Sequence, residues 1–414
     1  MKLITSLDIG SNIIKVVTAQ IESLDLQESS DDSNISIIGV NKKQSIGVRK
    51  GVIIDINDTA FNIKKTLDEL EKTIGQNIDE VIVGINGDNI LGINAKGIVA
   101  VSRADKEISN IDTERAIQSA KISSIAPNRE IISVISRFYN IDNEKGIKNP
   151  IGMSGVKLEA DALIITASSP FIKNVTKVIN MTGRKVLTFI PGIMASGESV
   201  LSNRQKELGV LILDIGSDTT GLLVYEEGEL AHLEIKPFGA GHITNDIAIG
   251  LRIDIDTAEK IKIKFGSCVP DEIRKTEIIN LNELGIEGDF NIRRRDVALI
   301  IEARMKEIFS FVNISLDNIG KRGFLPAGVI LVGGGSNLHG IIEMAKKYLR
   351  LPVKTGYPEK FKGLVDEITD PSFAMATGLL SWYGKKIKHD PINRNEYFGK
   401  LGSKFKSFFH KISP

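Results

Sequence analysis

Apolar and polar positions open this chain in the order strand, turn, strand: LITSLDIGSNIIKVVTAQ runs from Leu3 to Gln20. The pattern returns as VLILDIGSDTTGLLVY from Val210 to Tyr225, so Asp-Ile-Gly-Ser stands at Asp8 to Ser11 and again at Asp214 to Ser217. Short apolar runs bounded by Gly, Ser and Asp predict buried strands joined by tight turns. A third strand is predicted after each hairpin, at Ile35 to Val40 and at Leu230 to Lys236. A Gly-containing turn and a helix then follow, Thr59 to Lys72 in the first copy and Ile243 to Leu251 in the second, the latter with Thr244 as its N-cap. A β-β-β-α unit occurring twice predicts two similar α/β domains with a ligand between them.

The stretch from about Gly84 to Asp161 departs from the repeat, with the turn GINGDN, a helix over Asp112 to Ser123 and a strand over Glu130 to Tyr139. It reads as an inserted subdomain. A strand at Ala162 to Ala167, then a helix opening on Ser168-Ser169-Pro170, are expected to restore the main domain, Pro170 suiting a first helical turn. Val186 to Ile190 as a strand and Pro191 to Ser202 as a helix lead into the second half, where Asp254 to Glu307 reads as a helical and mixed insertion. Leu24 to Asn34 is acidic and polar and reads as a mobile hairpin tip. The predicted division is therefore 1–83 with 162–195, an insert at 84–161, a second domain at 196–384 with its own insertion at about 245–307, a linker at 385–395 and an amphipathic helix at 396–414.

Composition changes this picture little. The 414 residues, 42% hydrophobic and 25% charged, are enough for two substantial cores and exclude disordered and fibrous classes. No apolar run approaches the ~18 to 20 residues that cross a bilayer, and the N-terminus lacks a signal-peptide pattern, so a cytoplasmic protein is expected. Cys268 is the single cysteine, which leaves no internal disulfide, and the five histidines show no ligand spacing. The net charge of +1 argues against a nucleic-acid partner, but its distribution is uneven. Residues 385–414 carry +6 and the remainder −5.

The paired turns carry the candidate chemistry. A Gly-rich hairpin lets backbone N–H groups approach phosphate closely, since no Cβ intervenes. An aspartate at the strand end can hold hydrated Mg²⁺, which keeps several waters and bridges to phosphate oxygens. A third glycine cluster, VILVGGGSNLHG from Val329 to Gly340, delivers another turn, into a helix expected from about Asn337. Neither a Walker A loop nor a G-x-G-x-x-G between strand and helix is present.

With these motifs and the FAMATGLL helix from Phe373, the chain resembles the superfamily of actin, sugar kinases and heat-shock chaperones. The segment FGAGHITNDIAIGL from Phe238 to Leu251, the insert at Gly84 to Asp161 and the amphipathic C-terminus are similar to the FtsA family of bacterial cell-division proteins. The resemblance implies an actin-like fold, α/β, with two duplicated ribonuclease-H-like domains around an ATP cleft. It also implies that Asp8 and Asp214 organise Mg²⁺ through water, and that Gly10, Ser11, Asn12, Gly216, Thr219 and Thr220, with Lys15 as a weaker candidate, line the phosphates. Gly333, Gly334, Gly335 and Ser336 would contact adenosine, and Glu259 and Lys262 the ribose and base. Partners implied are FtsZ, further copies of the chain and other division proteins, with FtsZ contact near Arg293, Arg294 and Arg295. Two departures stand out: Ile190 precedes Pro191 where chaperone-like relatives carry a carboxylate, and Asp218 adds negative charge to the second loop unless it turns outward or binds metal. Fast hydrolysis is not expected, and no catalytic residue is assigned.

The tail adds a membrane expectation. On a helix at 100° per residue, Tyr397, Phe398, Leu401, Phe405, Phe408, Phe409 and Ile412 fall within one sector of about 120°. Lys400, Lys404 and Lys411 flank it. Aromatics at the acyl boundary with lysines reaching anionic head groups suit an interfacial anchor on the cytoplasmic face of the cell membrane, and the resemblance implies that it lies at the division septum. The alternative is an ATP-dependent small-molecule kinase on the same fold, with Asp218 as its best candidate base. A chaperone reading is poorer, because only about thirty residues follow the last core helix, too few for a substrate domain.

Overall fold

The computed structural model describes residues 2–21, 35–124, 126–285 and 292–389. The predicted hairpin tip at 24–34 and the predicted amphipathic helix at 396–414 lie outside these described residues.

Strands β1 (Lys2–Ile9), β2 (Ile13–Ile21) and β3 (Ile35–Gln44) form an antiparallel meander. A two-residue-strand hairpin, β4 (Val48–Arg49) and β5 (Val52–Ile53), follows, and then helix α1 (Ile56–Ile74). Asp55 caps α1 by accepting from the Asp58 N–H, Gly75 ends it at φ 67°, and Ala60, Ile63, Leu67 and Leu70 form its buried stripe. β6 (Glu80–Ile85) runs parallel to β1, and later β11 (Lys185–Pro191) runs parallel to β6.

Between β6 and β11 lie β7 (Ile90–Ala100), α2 (Asn110–Ser124), β8 (Arg129–Ile141), β9 (Glu144–Ile147), β10 (Lys157–Ser168) and α3 (Ser169–Met181). The four strands make a separate sheet in the order β7-β10-β8-β9. This corrects the expectation for Ala162 to Ala167: β10 is a central strand of the inserted sheet, paired along its length with β7 and β8. Apolar content alone marks a buried strand without saying which sheet buries it. The chain rejoins the first sheet at β11.

The second half repeats the first. After α4 (Gly192–Val200) and α5 (Asn203–Leu208) come β12 (Val210–Ile215), β13 (Thr220–Glu226), β14 (Glu229–Lys236), α6 (Ala240–Leu251), α7 (Ile255–Phe265), α8 (Arg294–Asn318), β15 (Val329–Val332), α9 (Ile341–Leu349), β16 (Val353–Thr355), β17 (Lys362–Gly363) and α10 (Ala374–His389). Its sheet order, β14-β13-β12-β15-β16, matches β3-β2-β1-β6-β11 with the last two parallel in each, and β17 adds a sixth strand to the first sheet beside β3. Several boundaries differ from expectation: α10 continues to His389, into the predicted linker, and the helix expected from about Asn337 begins at Ile341 after a 3₁₀ turn at Gly334–Asn337. α8 continues past 307 because its buried face, Val297, Ile301, Met305, Ile308, Val312 and Leu316, is unbroken at helical spacing. α6 starts at Ala240 after Gly239, so Thr244 is an interior residue with its hydroxyl turned to α7, and not a cap.

One apolar cluster joins the two halves, bringing Ile14, Val16, Ile63 and Val83 together with Val210, Ile212, Leu223 and Ile330. A second covers the other face of β12 with α6, α8 and α9. α10 belongs in sequence to the second half but packs Leu379, Leu380 and Tyr383 on the first sheet beside Ile4, Val17 and Ile82. It crosses α4 so tightly that a Cβ on Gly378 would lie 1.7 Å from the Ala195 carbonyl oxygen.

Candidate functional site

β1 and β2 place Asp8 opposite Lys15, and the turn between them exposes Gly10, Ser11 and Asn12. β12 and β13 present Gly216 to Thr219 in the same way, closed by a 2.9 Å bond from the Gly216 N–H to the Thr219 carbonyl. β15 lies parallel to β12 and delivers Gly333 beside Asp214. Gly333 has φ 82°, and a Cβ there would stand 2.4 Å from Asp214 Oδ1, so only glycine fits. The three turns line one cleft of about 660 Å³, a size suited to a small-molecule ligand.

Of the predicted residues, Asp8, Gly10, Ser11, Asn12, Lys15, Asp214, Gly216, Thr219, Glu259, Lys262 and Gly333 to Gly335 line this cleft. Two do not. Thr220 is wholly buried and its hydroxyl donates to the Phe238 carbonyl at 2.7 Å, because strand alternation turns it away from its neighbour Thr219. Ser336 closes its own turn, donating to the Gly333 carbonyl at 2.6 Å. Lys42, Asn86 and Asp370 line the cleft without having been predicted, and Arg294, expected at a partner contact, lines it too. They come from four separate places in the chain, β3, the loop after β6, the start of α8 and the loop before α10. Arg294 points to the Phe265 carbonyl at 3.0 Å and to Glu277 at 2.8 Å, while Arg293 pairs with Asp296 and Arg295 with Asp271, each at 2.9 Å.

Electrostatics favour a cation between the aspartates. Asp8 is 3% exposed; Lys15 reaches its Oδ2 at 3.3 Å, while its Oδ1 has no hydrogen-bond partner. Burial holds the Asp8 carboxyl above its ordinary range despite Lys15. Asp214 accepts from Ser196 Oγ at 3.1 Å, yet burial and the nearby Asp8 charge push it up to about 6. Two carboxylates held up by burial, one of them also by the other's charge and one with a buried unpaired oxygen, fit a hydrated divalent ion. Among the described residues no group of three or more His, Cys, Asp or Glu converges, so any such ion would complete its shell with water and ligand oxygens.

At the far wall α7 supplies Glu259 and Lys262. Lys262 is 8% exposed and its ammonium contacts Glu259 at 2.6 Å, Thr244 at 2.8 Å and the Ala240 carbonyl at 3.2 Å. The Thr244 hydroxyl also donates to Glu259. Ile190 is fully buried in the first sheet's outer core and offers no group to the cleft. Asp218 is half-buried and lines the cleft, and its Oδ2 accepts from the Lys50 N–H of the first half at 2.9 Å.

Comparison with known proteins decides the family. A family model for cell division protein FtsA matches residues 211–378, and one for the SHS2 domain inserted in FtsA matches residues 87–166. The cell division protein FtsA of Neisseria meningitidis serogroup B is 36% identical over 383 residues, 92% of this chain and 89% of that protein. The chain belongs to the FtsA family. Its fold recurs in a PilM–PilN type IV pilus biogenesis complex, at TM-score 0.67 and 15% identity over 92% of this chain and 98% of that one. It recurs also in MreB5 of Spiroplasma citri bound to ADP, at 0.54 and 14% over 95% and 99%. The actin-like architecture expected from the sequence is thus the observed one, and membership of the FtsA family does not favour the small-molecule kinase. Among the described residues no helix is long and apolar enough to cross a membrane.

Proposed function

We propose that this FtsA-family protein binds Mg²⁺-ATP in the cleft, self-associates, and tethers an FtsZ ring to the cytoplasmic face of the cell membrane at the division septum through residues 396–414, recruiting later division proteins. The observation that carries the nucleotide reading is the convergence of the two Asp-Ile-Gly-Ser turns and Gly333 to Gly335 on one cleft. Its support is chemical: backbone N–H groups for phosphate, a paired-carboxylate niche for Mg²⁺, and the ADP held by the structurally similar MreB5. Mg²⁺ would neutralise the β- and γ-phosphate charge when bound. Asp8 and Asp214 would hold its waters, Gly10 to Asn12 and Gly216 to Thr219 would line the phosphates, and Glu259 with Lys262 would meet the ribose and base. The absence of a carboxylate at Ile190 supports a nucleotide that conditions assembly over one that is rapidly hydrolysed.

The membrane step rests on the tail sequence. Co-sedimentation with anionic liposomes, with and without ATP, should recover the full chain but not one ending at Asn395; unchanged recovery after truncation would sink the tether. In parallel, a fluorescent ATP analogue should bind in a Mg²⁺-dependent way. D8N should weaken it at least about tenfold through the lost charge-assisted contacts, and Mg²⁺-independent binding would refute the metal role.

A further inference from the structure

The two residues at the tip of the β4–β5 hairpin, Lys50 and Gly51, both have positive φ, 52° and 72°. This is the signature of a two-residue type I′ turn, which leaves the tip N–H groups outside the ladder. The hairpin is anchored on the first half: a Cβ on Gly51 would meet Gly87 N and Cα at 3.0 Å, so the two backbones touch. Gly51 lines the cleft. Its N–H donates to Ser11 Oγ in the first phosphate turn at 2.9 Å, and the Lys50 N–H donates to Asp218 Oδ2 in the second, also at 2.9 Å. Ser217 Oγ, 3.2 Å from Asp218 Oδ1, steadies the same carboxylate. Neighbouring N–H groups thus engage both turns at once, and one of their acceptors is an anion.

We propose that the Lys50-Gly51 tip is a third phosphate-reading element of the cleft, and that Asp218 is a built-in competitor for its donors that latches the two halves together. The inference rests on the nucleotide reading above and deepens it. A phosphate oxygen and the Asp218 carboxylate are both anionic acceptors suited to the same N–H, and they repel each other at this range. Nucleotide entry therefore displaces Asp218 from Lys50. The latch between halves is exchanged for a bridge through the ligand, so hairpin protection reports what the cleft holds. This accounts for a carboxylate in a phosphate turn, where charge alone would select against it.

The test is amide hydrogen exchange of residues 48–53 in the full chain, with and without Mg²⁺-ATP, beside binding of a fluorescent ATP analogue, for wild type, D218N and D218A. Without nucleotide, D218A should exchange at the Lys50 amide about tenfold faster than wild type, the loss expected for a charge-assisted bond. D218N, which keeps an acceptor oxygen, should fall between. With ATP the three should converge on one protected level, and both variants should bind the analogue at least about threefold more tightly, since a like charge has gone. Equal Lys50 exchange in wild type and D218A without nucleotide overturns the latch. ATP that binds yet leaves 48–53 unchanged in D218A overturns the phosphate-reading role alone. No binding of the analogue to wild type overturns that role together with the nucleotide reading.

Discussion

At the scale of single residues, the cleft is governed by two aspartates whose charges are poorly compensated. Asp214, held up to about 6, is the clearest handle. Its folded value lies above the unfolded one, so its neutral form is favoured by folding; the stability it contributes is present at low pH and is lost as pH rises through about 6. D214N should remove that slope, which lies between the ordinary 3.8 and about 6, and raise unfolding free energy at pH 7 by on the order of 1–3 kcal/mol, measured by urea denaturation from about pH 3.5 to 7. A stability profile unchanged by D214N would refute it. By the same linkage, Mg²⁺-nucleotide binding near pH 6 should release a proton, visible by calorimetry in buffers of different ionisation enthalpy, and this release should vanish in D214N. Asp8 and Asp214 were legible from the repeat. The unpredicted Lys42 and Asn86 were not: Lys42 stands within a strand, and the turn GINGDN that holds Asn86 read only as the entry to the inserted subdomain.

At the scale of elements, the crossing of α4 and α10 links the cleft to the end of the described chain. Ser196 of α4 bonds Asp214, Ser199 shares a 2.7 Å hydroxyl contact with Thr377 of α10, and Glu198 meets Lys385 at 2.7 Å. Burial alone would raise the Glu198 carboxyl, but Lys206 and Lys385 hold it below its ordinary range. G378A forces a Cβ against the Ala195 carbonyl and should cost about 1–3 kcal/mol, more than an ordinary surface glycine change, checked by thermal and urea unfolding. D55A removes the α1 cap and should cost about 1 kcal/mol by the same measurements. The α4–α10 crossing was not legible, because small residues in a helix pattern do not say which helix they admit.

At the scale of the whole molecule, the inserted sheet is tied to the second half as well as to the first. Arg137 of β8 pairs with Asp161 and donates to the Ala231 carbonyl of β14 at 3.1 Å, and Lys148 donates to the Glu227 carbonyl at 2.7 Å. R137A should therefore speed amide exchange along both β8 and β14 while leaving nucleotide affinity within about twofold. Exchange changed in β8 alone would refute the tie. The tail prediction also belongs here: if the +6 of residues 385–414 meets anionic lipid, vesicle binding should fall steeply as salt rises from about 50 to 300 mM. Salt-insensitive binding would point to apolar insertion alone.

The duplication, the two Asp-Ile-Gly-Ser turns, the third glycine cluster and the charge segregation of the tail were legible before folding, because each is a local pattern of strand period, turn chemistry or composition. Only the tertiary structure decided that β10 belongs to the inserted sheet, that α8 runs unbroken to Asn318, that Thr220 and Ser336 turn away from the cleft, and that Asp218 reaches across to Lys50. These depend on which face or partner an element finds once packed, and apolar periodicity specifies that a face is buried without naming what buries it.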